Sequence, residues 1–280
     1  MTLEDGALVD LAARLVEIPG VTGVLLGGSR ARGDHTPESD VDLGLYIDRD
    51  LDVAALGTLA REVAGPDATV TQRGEWGPWV DGGGWLRIDG VPVDWIYRDL
   101  DRVRSCWQAA RAGRYSFHAQ IGHPLGVPDF AYPGEVALGV VLADPTGQLT
   151  ALRAETQDYP AALAEALMDG LWEAEFLLTV ARKAVPRRDA TYVGGCLFRA
   201  VGLCCHALHG RARRWVVNEK GLVASAGRLP GAPEGFSDRA HDVLADLRSD
   251  ERTLAAALDR AAALVGETAR RCRSDRLGPT

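Results

Sequence analysis

The sequence predicts an α/β N-terminal domain, built on a mixed or mostly antiparallel sheet, followed by an all-α helical bundle. Three observations lead there. Short apolar runs of strand length, bounded by glycine, proline or aspartate, recur up to residue 97. Two of these runs flank Asp89-Gly90, a dipeptide that favours a tight antiparallel hairpin. From residue 134 the apolar spacing turns helical and stays so almost to the end. The expected division is therefore 1–115 for the α/β domain and 116–280 for a linker and the bundle, with the linker placed in 113–133.

Taken in order, residues 3–18 carry Leu8, Leu11, Leu15 and Ile18 at helical spacing and stop before Pro19-Gly20. Residues 21–26 form an apolar strand, after which Gly27-Gly28-Ser29 makes a tight turn able to bring backbone N–H groups to a phosphate. Residues 41–47 form a second strand, whose period of two places Asp40 and Asp42 on one face. Two neighbouring carboxylates call for a cation, and a hard divalent ion such as Mg²⁺ accepts carboxylate oxygens while keeping positions for water and phosphate. The chemistry expected of this stretch is metal-assisted phosphoryl or nucleotidyl transfer.

A helix over 51–63 and a short strand over 69–72 come next. Residues 74–84 form a glycine-rich loop with Trp76 and Trp79 inside it and Trp85 at its edge; it reads either as a flap offering aromatic faces to a base or sugar, or as a surface loop pinned by its tryptophans. Strands over 85–88 and 91–97 enclose the Asp89-Gly90 turn. Asp94 sits in the middle of the second one, Val91-Pro92-Val93-Asp94-Trp95-Ile96-Tyr97, where a lone charge is costly without a metal or partner. It is the third candidate carboxylate. A helix over 99–112 closes the domain, and 113–133, with turn signals at 122–126 and 132–134, reads as irregular. His118 and His123 fall in that stretch, either beside a substrate or as ordinary loop histidines.

The helices expected thereafter cover 135–142, 147–156, 160–185, 190–208, 219–226, 237–247 and 251–270, with a frayed tail over 274–280. Asp189 is placed to cap the long helix and Asn218 the helix beginning at 219. Glu173 and Glu175 read equally as an acidic wall for an acceptor or as a solvated helix face. The five cysteines form no Cys-x-x-Cys pair, and Cys196, Cys204, Cys205, His206 and His209 on one apolar helix read as buried side chains with a solvated helix end rather than a zinc site.

Gly-Ser at 28–29, Arg32-Gly33, and Ser39-Asp40-Val41-Asp42-Leu43 together resemble the signature of the nucleotidyltransferase superfamily that includes DNA polymerase β. The nearer resemblance is to the antibiotic nucleotidyltransferases, which join such a domain to a helical one. That resemblance implies that Gly28, Ser29 and Arg32 hold the nucleotide phosphates, that Asp40, Asp42 and Asp94 bind Mg²⁺, as two ions, and that Asp94 completes the site as a metal ligand or as base for the acceptor hydroxyl. It also implies that Lys220, in the basic stretch 211–221, reaches the triphosphate, and that ATP is the donor.

Composition narrows the partners. A net charge of −8 argues against a surface built for long nucleic acids and suits a small cationic acceptor; the family resemblance implies a small hydroxylated one, aminoglycoside-like or lincosamide-like. No apolar run approaches the roughly 20 residues of a membrane span, and residues 1–5 lack a basic leader, so a cytoplasmic protein without membrane partners is expected. Three other readings stay open on sequence alone: a nucleotidyltransferase acting on RNA, one acting on a protein in the manner of toxin–antitoxin systems, and a non-catalytic nucleotide-binding regulator. The acceptor and the oligomeric state are not written in the motif.

Overall fold

The computed structural model describes residues 5–33, 36 and 39–274. The acidic N-terminus through residue 4 and the tail from 275, expected to fray, lie outside the described residues. The chain divides into two compact units, one made of residues 1–109 and 116–158, the other of 110–115 and 159–280.

The first unit is organised on a five-stranded sheet of order β3-β4-β2-β1-β7. Strand β1 (Val21–Leu26) lies antiparallel to β2 (Val41–Ile47), and β2 runs parallel to β4 (Val91–Asp99). Strand β3 (Gly83–Ile88) closes one edge as the antiparallel hairpin partner of β4, turning at Asp89-Gly90 as expected. Strand β7 (Val140–Ala143) closes the other edge against β1. The sheet is mixed and mostly antiparallel, as the sequence predicts.

One face of this sheet is core. Val41, Leu43, Leu45 and Ile47 of β2 alternate inward with Val91, Val93, Trp95 and Tyr97 of β4 and pack with α1 (Asp5–Leu15) and α3 (Val53–Ala64). The four β2 side chains are fully buried, each contributing about 1.5–3 kcal/mol. Asp52 caps α3 by accepting from the backbone N–H of Ala55 at 2.9 Å. The opposite face carries Asp42, Gly44 and Tyr46 on β2 and Asp94, Ile96 and Arg98 on β4. Helix α5 (Ala131–Leu138) covers its Tyr46–Arg98 end through Glu135, whose carboxylate binds Arg98 and lies over Gly44. The Asp42–Asp94 end belongs to the beginning of both strands.

Several elements depart from their expected places. Residues 69–72 form no strand; Thr71 donates its N–H to the Gly83 carbonyl at 2.8 Å, its hydroxyl accepts from the Gly83 N–H at 2.9 Å, and its carbonyl accepts from the Tyr97 hydroxyl at 3.0 Å. Residues 113–133 are not a linker but contain the hairpin β5 (Phe117–Gln120) and β6 (His123–Pro128), and α5 begins before Pro133-Gly134, because proline is tolerated in the first turn of a helix. The helix expected over 135–142 ends at Leu138, and the β-branched residues after Gly139 join the sheet as β7. Consequently 116–158, with α6 (Gln148–Thr156), belongs to the first unit rather than to a linker and bundle starting at 116. Helix α4 (Leu100–Arg111) lies as expected, and Trp107 Nε1 on it donates to Glu155 Oε2 on α6 at 2.8 Å.

The second unit is helical. The stretch expected as one helix over 160–185 breaks at Gly170 into α7 (Ala161–Asp169) and α8 (Leu171–Arg182). Helix α9 (Ala190–Arg211) runs through its core against α7, α8, α10 (Leu222–Gly227), α11 (Phe236–Ala245) and α12 (Glu251–Ser274). By length and apolar composition α9 is able to span a membrane, a point hidden in the raw sequence by its interspersed polar residues, yet 67% of its most apolar window is buried within the protein. Asp189 caps it by accepting from the Tyr192 N–H. Asn218 accepts from the Lys220 N–H one turn before α10, whose cap position is Gly221, so it shapes the preceding turn instead of capping the helix.

Candidate active site

The site is built from the turn after β1 and the starts of β2 and β4. Gly27 donates its N–H to the Asp42 carbonyl at 2.8 Å, which ties the turn to the second strand, and Gly28 to Arg32 then wind into the short helix α2. Gly28 has φ +62°, and a Cβ on it would fall within 1.8 Å of Asp42 Oδ2. Only glycine lets the Asp42 carboxylate lie against this backbone. Ser29 and Arg30 are half-buried on α2, Arg30 Nη2 donates to the Ser39 carbonyl at 3.2 Å, and Arg32 is exposed at the end of the turn of helix.

Across the parallel ladder the register pairs Asp42 with Asp94 directly. Paired residues share a face, so two carboxylates 52 positions apart in the chain become neighbours on adjacent strands. Two and four residues along the same face, the register continues with Gly44 against Ile96 and Tyr46 against Arg98. The Arg98 guanidinium, 8% exposed, donates from Nε and Nη2 to Glu135 at 3.0 and 2.6 Å, and the Tyr132 ring stands 5.4 Å away. Burial raises the Asp42 pKa from its ordinary value, and the charges of Glu135 and Asp40 add to it, while Arg98 and Arg32 pull it down. Glu135 holds Arg98 firmly protonated despite its burial.

Asp40 departs from the expected arrangement. The ladder begins at Val41, so Asp40 lies outside the strand whose alternation was expected to align it with Asp42, and it is exposed. Among the described residues no group of three His, Cys, Asp or Glu side chains is placed to hold a metal ion. Of the three expected ligands, Asp42 and Asp94 are register partners on adjacent strands, and Asp40 acts on Asp42 through its charge. That pair still fits a hard divalent cation: two carboxylates side by side, one of them strained by burial and by further negative charge, are stabilised by such an ion.

Arg98 and Glu135 were not singled out by the sequence. A period-two step of four from Asp94 marks Arg98 as facing the same way, which is a usable signal; nothing local marks Glu135, whose partner lies 37 positions away.

Residues 9–102 match the nucleotidyltransferase domain family. The matched segment contains the turn, Asp40, Asp42 and Asp94, and it supports nucleotidyl transfer as the general activity of this unit. A nucleotidyltransferase-like protein from Exiguobacterium sibiricum, solved by crystallography, is similar at 16% identity and TM-score 0.39 over 95% of this chain and 77% of its own. No curated protein matches.

Other candidates are held elsewhere. The loop over 74–84 is pinned: Trp79 and Val80 donate their N–H groups to Gln120 Oε1 at 3.2 and 3.0 Å, and Tyr132 and Arg102 donate to the Trp79 carbonyl. His118 stacks on Trp79 at 3.6 Å between ring centroids, and its Nε2 lies 3.8 Å from Asp129; His123 is half-buried at the start of β6. Lys220 belongs to the second unit. There Glu173 pairs with Arg199. All five cysteines are buried and lie outside any disulfide. Burial pushes the His206 pKa down to about 3, and His209 donates from Nδ1 to the Cys205 carbonyl, which leaves both histidines as core residues.

Proposed function

We propose that the protein is a Mg²⁺-dependent nucleotidyltransferase that moves a nucleoside monophosphate, AMP from ATP, to a hydroxyl of a small molecule of the aminoglycoside or lincosamide kind. The observation that carries this reading is the direct register of Asp42 with Asp94 beside the Gly27–Gly28 turn, since it sets the Asp42 carboxylate against a backbone turn suited to phosphates, with Asp94 its neighbour on the next strand. Gly28, Ser29 and Arg32 bind the nucleotide phosphates. Asp42 and Asp94, with Asp40 nearby in the chain, would hold Mg²⁺, which when bound offsets charge on the transferring phosphate.

In the reaction the acceptor hydroxyl gives its proton to an Asp94 carboxylate oxygen and forms a new bond from its oxygen to the α-phosphorus. The bond from that phosphorus to the β-phosphate bridging oxygen breaks on the opposite side, and pyrophosphate leaves. Arg98, fixed by Glu135, keeps a permanent positive charge on the sheet face that carries Asp42. Lys220 is assigned to the triphosphate by family resemblance. The net charge of −8 favours a small acceptor over a long nucleic acid.

The test is mass spectrometry of products after incubation with mixed nucleoside triphosphates, Mg²⁺ and a panel of hydroxylated antibiotics. An acceptor heavier by one nucleotidyl group, a nucleoside monophosphate less one water, formed with one pyrophosphate, is expected; transfer to RNA or protein alone would replace the small-molecule reading.

A further inference from the structure

The sheet order places one exposed aromatic side chain immediately beyond the carboxylates. Going outward from the Gly27–Gly28 turn on β1, the strands are β2 with Asp42, β4 with Asp94, and β3 with Trp85, the antiparallel register partner of Asp94. Residues opposite one another in such a ladder share a face with their Cβ atoms about 4.5–5.5 Å apart. The Trp85 indole thus rises beside Asp94, on the side away from the phosphate turn.

Trp85 is 72% exposed, an unusual state for a large apolar ring. It is also ordered. Its ring stacks on Trp76 at 4.4 Å with 16° between the planes. Trp76 is anchored in turn, because Gln120 Nε2 donates to its carbonyl at 2.7 Å and Gly83 leaves space for its ring, where a Cβ would come within 2.9 Å of Cη2. One indole backs the other and leaves a flat apolar face free next to a carboxylate.

We propose that Trp85, supported by Trp76, is the acceptor platform, taking the C–H face of a saturated, hydroxyl-bearing ring and presenting one ring hydroxyl to Asp94. The proposal rests on the nucleotidyl-transfer reading above. In-line displacement puts the attacking hydroxyl and the departing pyrophosphate on opposite sides of the α-phosphorus. With the phosphates seated at the β1 turn, the attacker comes from the β4–β3 side, where Trp85 stands. An indole suits that role because it binds a ring by apolar contact and leaves the ring's hydroxyls to the neighbouring carboxylate.

The experiment compares wild type, Trp85→Ala, Trp85→Phe and Trp76→Ala with ATP, Mg²⁺ and four probes: kanamycin, streptomycin, lincomycin and the acyclic polyol sorbitol. Acceptor KM and ATP KM are measured separately, and melting temperature reports folding. Trp85→Ala is expected to raise the KM of a ring acceptor about tenfold, with ATP KM and folding unchanged. Trp85→Phe should recover most of the loss, and Trp76→Ala should fall between. An unchanged acceptor KM in folded Trp85→Ala would overturn the platform, as would a rise confined to ATP KM, which would assign the indole to the nucleotide base. Wild-type transfer to sorbitol but to none of the rings would overturn the platform and leave nucleotidyl transfer standing. Transfer to none of the four probes, with no ATP binding, would overturn both.

Discussion

Gly28 and Asp42 make the tightest demand on sequence in the site. Alanine at position 28 must hold φ +62°, at a cost of about 1–2 kcal/mol, and must also displace the carboxylate that now lies 1.8 Å from where its Cβ would sit. Gly28→Ala is expected to keep the fold and lower transfer at least about a hundredfold, since small displacements at a reacting centre have that effect; steady-state kinetics beside a melting curve check it. Asp42 itself works against the metal-free fold at neutral pH. Its raised pKa means that the folded protein holds the proton more tightly than the unfolded chain, so the stability this gives is full below the ordinary value of 3.8 and lost as pH rises through the elevated one. Asp42→Asn should therefore leave the metal-free protein as stable or more stable at pH 7, the advantage shrinking as pH falls towards 3.8, while transfer drops by about 10²–10³-fold. Denaturant unfolding at several pH values, paired with product formation, is the measurement.

Among the elements, β4 and α5 decide how the site is held. Arg98 and Glu135 are a charge pair with little solvent around it, and removing one partner strands the other. Glu135→Gln is expected to destabilise the protein by about 3 kcal/mol, read by denaturant titration, and a loss below about 0.5 kcal/mol would mean that the pair is effectively solvated. Strands β1, β2 and β4 were legible because their apolar alternation and the Asp89-Gly90 turn are local signals. The β2–β4 parallel register was not legible from alternation, since it is set by non-local pairing, and with it the closeness of Asp42 to Asp94. Helix α5 and strand β7 were misplaced for a local reason: Tyr132-Pro133-Gly134 carries the marks of a turn but opens a helix, and Glu135 was lost as a site residue with it. Asp40 misled in the opposite way, because alternation was extended one residue beyond the ladder that enforces it.

At the scale of the whole molecule, the first unit holds the turn, both register-paired carboxylates and the stacked tryptophans, and the second holds Lys220. If both contribute to one reaction, Lys220→Ala should raise the KM for the nucleotide by about tenfold or more and leave the acceptor KM nearly unchanged, since a charged phosphate contact is lost; an unchanged nucleotide KM and kcat would return Lys220 to a structural role in its own unit. The central claim, that Asp94 takes the acceptor's proton, is tested most directly by Asp94→Asn, measured for nucleotide binding by calorimetry and for product by mass spectrometry with Mg²⁺ and an accepted substrate. The expected result is a folded variant that binds the nucleoside triphosphate within a few-fold of wild type and forms no detectable product. Full activity per folded molecule would contradict it and remove the base from the mechanism.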